Sequence, residues 1–92
     1  DAVLVRRDEW LSSDKPLARV RALNLFADLD PKGTFPLVAR ALRDPVPAVR
    51  FFARVMVLDH YYKDDPRAAK LRGEHLAAEK DPKVLGLYSR LK

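Results

Sequence analysis

Two histidines stand beside acidic residues and are the first places where this chain could do chemistry. His60 lies in residues 59–65 with three aspartates and two tyrosines, a set that could bind a metal ion or supply a general base. His75 and Glu79 are four residues apart, so on a helix they would share one face and could hold a metal ion or form an ion pair. Each set contains a single histidine. The acids and tyrosines around His60 are typical of a helix end followed by a new helix start, and a spacing of four between His75 and Glu79 also arises by chance in a helix. We therefore predict no metal site.

The hydroxyl side chains offer no catalytic nucleophile. Ser12, Ser13 and Ser89 have no histidine or acid at a spacing typical of a catalytic pair, and the first two precede Asp14 as capping residues do. The lack of cysteine excludes disulfides, thiol catalysis and cysteine-ligated metals. The three glycines stand alone, so no phosphate-binding loop is present. We predict a protein that is not an enzyme and uses no cofactor.

The composition is that of one small folded domain. Of the 92 residues, 48% are hydrophobic, which fills one core and is too much for a disordered chain. No apolar stretch approaches the roughly 18 residues of a membrane span, and the N-terminus lacks a signal-peptide pattern. With the lack of cysteine, this favours a soluble, cytoplasmic protein without membrane insertion. Because the chain begins at Asp1 and not at methionine, we expect either a processed product or a domain excised from a longer protein.

The net charge of +5 raises the question of nucleic-acid binding. The 18 basic and 13 acidic residues are spread evenly, and most basic residues have an acid within a few positions. That pattern is typical of solvated helix faces with ion pairs. Charge alone therefore leaves nucleic acid as the less favoured kind of partner.

Prolines mark where helices start. An aspartate directly precedes a proline at Asp30-Pro31, Asp44-Pro45, Asp65-Pro66 and Asp81-Pro82. An N-cap aspartate accepts a hydrogen bond from the first turn, and proline at the first helical position lacks a donor that would be unsatisfied there. Asp14 before Pro16 is a looser version of this signal. Thr34 before Phe35 predicts a further N-cap, with Gly33 as its turn residue.

Between these marks the apolar residues recur three or four apart, which is the helical period. The pattern predicts six helices joined by short turns, over about 2–11, 15–29, 35–43, 48–62, 66–80 and 82–91. Gly73 and Gly86 are weak points that each cost about 1 kcal/mol against alanine. No alternating strand pattern occurs, so the predicted fold class is all-α.

The sequence also repeats. Segments 14–21 and 44–50 begin about 30 residues apart and share the order cap, proline, alanine, Val-Arg, which aligns Val20-Arg21 with Val49-Arg50. Residues 41–53, ALRDPVPAVRFFA, resemble the HEAT-like repeat of the short bacterial kind found in phycobilisome lyases. In that repeat a short first helix leads through an Asp-Pro turn and a Val-Arg step into a second helix. The resemblance is clear over about 13–62.

The resemblance implies a solenoid in which hairpins stack into a right-handed α-α superhelix, with the second helices lining the inner surface. It divides a single domain, residues 1–92, into three antiparallel hairpins over about 1–29, 35–62 and 66–91. The third hairpin departs from the pattern, because Gly86-Leu87 stands where Val-Arg is expected, and we interpret it as a degenerate or capping unit. An apolar terminal hairpin would associate end to end with a second copy or stack on further repeats.

The arginines at the repeated step have two candidate roles. Arg21 and Arg50 could each bond a turn aspartate such as Asp44 or a helix-end carbonyl and tie neighbouring hairpins together. With Arg54, they could instead present guanidinium groups to an acidic partner. For the second role we predict partner-binding residues on the second helices, namely Arg21, Asn24, Arg50, Arg54 and Tyr61. The predicted function is a non-enzymatic interaction or scaffold module for a protein with an acidic surface.

Two alternatives come from the same resemblance. HEAT-like alkylpurine DNA glycosylases hold DNA on a basic inner face, so nucleic-acid binding is the second hypothesis. Those enzymes need an acidic residue and exposed aromatics in a shared cleft, and no such set can be placed in this sequence. The third hypothesis, a lyase that attaches bilin pigments, has only the repeat in its favour.

Overall fold

The computed structural model describes residues 7–91, and over that range the chain is all-helical with no strand. We number the helices α1 (Arg7–Leu11), α2 (Pro16–Leu29), α3 (Pro31–Ala41), α4 (47–61), α5 (Pro66–Ala78) and α6 (Pro82–Ser89). Helix α4 is continuous but changes winding, from α-helical Pro47–Phe52 to π-helical Ala53–Leu58 and back to α-helical Asp59–Tyr61. The predicted all-α class and the six helices are confirmed, while the predicted start of the first helix at residue 2 lies outside the described residues.

Five of the helices begin at a proline, and four of these starts are predicted from the sequence, at Pro16, Pro31, Pro66 and Pro82. Three of the four carry the predicted aspartate cap. Asp30 accepts a hydrogen bond from the Gly33 amide, and Asp65 accepts one from the Arg67 amide. Asp81 accepts from two amides of the first turn of α6. These caps satisfy amides that have no partner inside the helix, so local chemistry fixes where α3, α5 and α6 start.

The prediction that Thr34 caps a helix is wrong. Helix α3 already begins at Pro31 under the Asp30 cap, and it runs through Gly33 and Thr34 without a break. Thr34 is fully buried, and its hydroxyl donates a hydrogen bond of 2.9 Å to the backbone carbonyl of Phe26 in α2. The residue therefore holds two helices together instead of starting one.

The prediction that Asp44-Pro45 starts a helix is also wrong. Helix α4 begins at Pro47, and its N-cap residue Val46 makes no side-chain cap hydrogen bond. Asp44 lies in the preceding loop, where its carboxylate accepts a hydrogen bond of 2.9 Å from the Val46 amide. Asp14 likewise does not cap α2, whose N-cap position is Lys15.

The core forms around α2 and α4. Helix α2 packs against α1, α3 and α4, and α4 packs against α3, α5 and α6. The most deeply buried large side chains come from α2, α3 and α4, and they are Leu23, Phe26, Val38, Val49, Val57 and Leu58. The second helices of the three predicted hairpins are thus neighbours in chain order, with α2 against α4 and α4 against α6. This arrangement sets the positions of the polar loops and of the exposed face described below.

Candidate functional site

Three loops, which we call the matched loops, have the same internal hydrogen bond. Ser13, Asp44 and Glu79 each lie three residues before the proline that starts α2, α4 or α6. Each side chain accepts a hydrogen bond from the backbone amide two residues later, at 3.2 Å, 2.9 Å and 3.1 Å respectively. A serine, an aspartate and a glutamate thus have the same role, because the side-chain oxygen of each binds a backbone amide of the loop that leads into α2, α4 or α6.

Two arginines connect the matched loops. Arg19 and Arg50 each lie three residues after the proline that starts their helix, and each donates from Nη1 to the carbonyl of its own loop, at 2.7 Å to Ser13 and 2.8 Å to Asp44. Arg19 also binds the Asp44 carboxylate through two hydrogen bonds of 2.8 and 3.0 Å. Arg50 binds the Glu79 carboxylate in the same way, at 2.8 and 2.9 Å. We call Arg19, Asp44, Arg50 and Glu79 the arginine ladder, since each arginine joins its own loop to the next.

The ladder corrects the sequence alignment of the repeat. The sequence places Arg21 opposite Arg50, but in the structure Arg19 makes the contacts that match those of Arg50, and Arg21 is exposed. Of the two roles foreseen for Arg50, the structure shows contacts of the first kind, to a loop carbonyl and to a turn acid. Arg19 was missed, although counting from the helix-starting proline instead of from the aspartate would have found it.

The arginine ladder does not continue beyond these two pairs, because the equivalent positions before and after them are uncharged. The first matched loop carries neutral Ser13 where the others carry an acid, and α6 carries Leu85 at the position of Arg19 and Arg50. With the corrected alignment, Val84-Leu85 is the counterpart of Val49-Arg50 in the third hairpin. Two links therefore join three loops.

A buried polar network continues from the ladder into α5 and α6. His75 and Glu79 are both buried, with 3.7 Å between His75 Nε2 and Glu79 Oε1, and the Tyr88 hydroxyl lies 2.7 Å from the same nitrogen. The pair foreseen from the helical spacing thus exists, with Tyr88 and Arg50 as further members. No group of three or more histidine, cysteine or acidic residues able to hold a metal ion occurs within residues 7–91.

Burial and charge set the protonation of this network. Burial lowers the pKa of His75, and the hydrogen bond from Arg50 lowers the pKa of the Glu79 carboxyl. Burial raises the pKa of Tyr88 to about 12. At neutral pH the imidazole is therefore neutral and the phenol protonated, so we assign the Tyr88 hydroxyl as donor to His75 Nε2.

Arg54 packs over the Tyr88 ring and is mostly buried. Its guanidinium carbon is 4.3 Å from the centre of the Tyr88 ring, and its side chain is 15% exposed. Its Nε is 3.6 Å from Asp59, a carboxylate that also receives a hydrogen bond of 2.8 Å from Arg72. Neither Nε nor Nη1 of Arg54 has a hydrogen-bond acceptor within the described part of the chain, although both are buried.

The remaining predicted residues sit at the edges of the core. Tyr61 is half-buried and packs against the core cluster, with the His60 ring edge-on to it at 4.7 Å between centroids. Asn24 is half-buried on α2. Of the five predicted partner-binding residues, Arg21 is thus the exposed one, and Arg50 and Arg54 make contacts inside the protein.

An exposed apolar surface, which the sequence analysis did not identify, crosses all three second helices. Within residues 9–91, whose side chains are described, eight large hydrophobic residues are exposed. Six of them lie one, five or nine residues after the proline that starts α2, α4 or α6. They are Leu17, Leu25, Phe52, Met56, Leu87 and Leu91, with exposed fractions of 38–59%. Positions four apart lie on one side of a helix. Because α2 is next to α4 and α4 is next to α6, we infer that these residues form one surface, which we call the apolar face. Leu91 lies in the turn after α6 and also borders the cavity where α4, α5 and α6 meet.

The other three matched positions on this surface are Arg21, Ala48 and Lys83. A groove of about 670 Å³ between α1 and α2 extends it, lined by Trp10, Ala18 and Leu25 among others. The surface thus combines large apolar side chains with two basic residues and no acid at its nine positions.

Comparison with protein-family models, with curated protein sequences and with solved structures finds no match to this chain. Among the helices described, none has the length and apolar character needed to cross a membrane. The site is therefore interpreted from its own contacts.

Proposed function

We propose that this chain is a HEAT-like docking module without enzymatic activity, in which three hairpins stack into a short superhelix and a protein partner binds across α2, α4 and α6. The observation that carries the proposal is the apolar face. Scattered exposed hydrophobics are normal on a protein surface, but a contiguous set at matched positions marks an interaction site. The matched loops and the ladder support the stacking, because the same contacts recur from one hairpin to the next.

The chemistry of the face favours a protein over nucleic acid. Burying one large apolar side chain stabilises a complex by about 1.5–3 kcal/mol before the costs of association, and phosphate backbones offer no apolar surface to bury. Arg19 and Arg50, which a basic inner face would need, are already bound to carboxylates. The basic residues that remain on the face, Arg21 and Lys83, favour a partner segment that carries acidic as well as apolar side chains.

The predicted contact residues have different tasks in this proposal. Arg21 contacts the partner directly, and Asn24 contacts it at the edge of the face beside Leu25. Arg50 positions Phe52 by fixing the second hairpin on the third. Tyr61 stays a proposed contact at the far half of α4. Arg54 is 15% exposed and packs on the Tyr88 ring, so it lies outside the docking surface.

Phe52→Glu and Leu29→Glu form a matched pair for testing this function. Both residues are exposed, at 38% and 50%, but only Phe52 lies on the apolar face. In quantitative affinity capture followed by binding of the purified candidates, we expect Phe52→Glu to lose partners that Leu29→Glu and the wild type retain, with unchanged thermal unfolding. Equal binding by both variants would exclude the face as the docking site. Binding of random duplex DNA that falls steeply between about 50 and 200 mM salt would instead support a nucleic-acid partner.

A further inference from the structure

A second cavity lies away from the groove beside α1, where α4, α5 and α6 meet. Its volume is about 430 Å³, and its walls include Leu76 of α5 and Leu85 and Tyr88 of α6, with Arg54 and Asp59 of α4 supplying the charges. Small-molecule sites in proteins range from about 300 to 1,000 Å³ and are mostly apolar with a few polar groups. The size and the walls therefore fit a small ligand.

The charges at this cavity do not balance. Two arginines share the single carboxylate of Asp59. Arg72 Nε lies 2.8 Å from its Oδ1, and Arg54 Nε lies 3.6 Å from its Oδ2. Among the described residues one positive charge is left over, and it resides on a guanidinium that is 15% exposed and whose Nε and Nη1 are buried without an acceptor. An anion in the cavity cannot reach these two buried nitrogens, but it can approach the exposed part of the guanidinium, where the surplus positive charge would stabilise it.

The other polar groups at the cavity are already engaged. The Tyr88 hydroxyl is bonded to His75, and the Ser89 hydroxyl donates to the Leu85 carbonyl at 3.2 Å. Arg54 is therefore the group that would select the ligand. A guanidinium matches the two oxygens of a carboxylate, and one surplus charge balances a monoanion better than a phosphate dianion.

We propose that this cavity binds a small amphiphilic monocarboxylate, with the carboxylate on Arg54 and the apolar part along Leu76 and Leu85. The site goes beyond protein docking, because the group that would bind the carboxylate, Arg54, is not on the apolar face. Of the residues that line the cavity, Leu91 is the one shared with that face.

Decanoate below its micellar concentration is a suitable probe, followed through the Nε–H resonance of Arg54 in ¹⁵N-labelled wild-type protein. We expect a saturable shift of that resonance with decanoate. Acetate lacks the apolar part and decanol lacks the charge, so each should bind at least about tenfold more weakly. No saturable shift with decanoate, or equal binding of decanol, would overturn the proposal.

Arg54→Met gives a second, independent test, with Arg21→Met as the control that removes an exposed arginine elsewhere. Binding is followed through backbone amide shifts of residues 85–89. Arg54→Met should weaken decanoate binding at least about tenfold, since it removes the positively charged guanidinium that attracts the carboxylate. Arg21→Met should bind as the wild type does. Unchanged binding in Arg54→Met would reject the site, and if that variant does not fold, the wild-type Nε–H titration decides alone.

Discussion

Arg19 and Arg50 perform the same structural task near the starts of α2 and α4. Each donates to the carbonyl of the residue six positions before it and binds both oxygens of a carboxylate in the next loop. Each carboxylate is more than 20 residues from its arginine in the sequence, at separations of 25 and 29, so these bonds fix α2 and α4 against loops that are distant along the chain. The apolar face depends on that placement, because it exists only when α2, α4 and α6 start in register.

Loss of Arg50 should destabilise the fold. The Glu79 side chain is 1% exposed, so Arg50→Met leaves a buried carboxylate without its partner. We expect a loss of about 3 kcal/mol in the free energy of unfolding, measured by urea titration. Arg21→Met removes an exposed arginine that the sequence alignment had treated as equivalent, and it should change stability by no more than about 0.5 kcal/mol. Similar effects for both variants would contradict the corrected alignment.

The two aspartates before α2 and α3 should contribute differently to the free energy of unfolding. Asp30 caps α3 through the Gly33 amide, and Asp14 makes no cap hydrogen bond to α2. Asp30→Ala is therefore expected to lower the free energy of unfolding by about 1 kcal/mol. Asp14→Ala serves as the control and should leave it nearly unchanged in the same urea titrations. A larger loss from Asp14→Ala would show that α2 is capped by the residue that the sequence first indicated.

Two glycines should be replaceable with a gain in stability. Gly73 and Gly86 lie inside α5 and α6, and a Cβ added to either would meet nothing within 4 Å. Alanine restricts the unfolded chain and favours the helix, so each substitution should raise the free energy of unfolding by roughly 0.5–1 kcal/mol. Thermal and urea unfolding of the single and double variants would measure this. A loss of stability in either single variant would mean that the helix does not continue through that glycine.

Stability should fall as the pH drops through the range in which His75 titrates. Its pKa is about 6.5 in an unfolded chain and lower in the folded protein because the ring is buried. Below about pH 6.5 the histidine therefore takes up a proton more readily in the unfolded state than in the folded state. Its contribution to the free energy of unfolding is present above that pH and is lost as the pH falls below it. Glu79, whose folded pKa is also lowered, adds a further loss below its ordinary value of 4.5.

His75→Gln removes this titration, so the change in unfolding free energy between pH 7 and pH 5 should be smaller in the variant than in the wild type. Urea titrations at the two pH values provide the comparison. A wild-type protein that becomes more stable from pH 7 to pH 5 would show that His75 is charged in the fold.

Local signals in the sequence predicted the helices well and their connections less well. Proline at the first helical position and aspartate before it are local devices, so they located α3, α5 and α6. Thr34 and Asp44 have side chains of the kind that cap helices, but neither caps one here. Thr34 donates to a carbonyl of the neighbouring helix α2, and Asp44 accepts from a loop amide and from Arg19. Their partners depend on tertiary packing, which a local pattern does not contain.

The same limit explains why the apolar face was missed. Helix α4 has apolar residues on more than one side, so periodicity could not tell which side is covered. Packing against α2 and α6 buries Val49 and Val57 and leaves Phe52 and Met56 exposed. The π-helical winding of Ala53–Leu58 also has no sequence signal, since its residues are ordinary helix-core types.

The central claim is that the two matched arginines hold α2, α4 and α6 in register. Double-mutant cycles for Arg19 with Asp44 and for Arg50 with Glu79 test it most directly. The exposed pair Lys70 and Glu74, 3.9 Å apart on α5, is the control, with an expected coupling of about 0.3–0.5 kcal/mol. The account predicts a coupling of about 1–3 kcal/mol in each ladder pair. Coupling in either ladder pair no larger than in the control would contradict it.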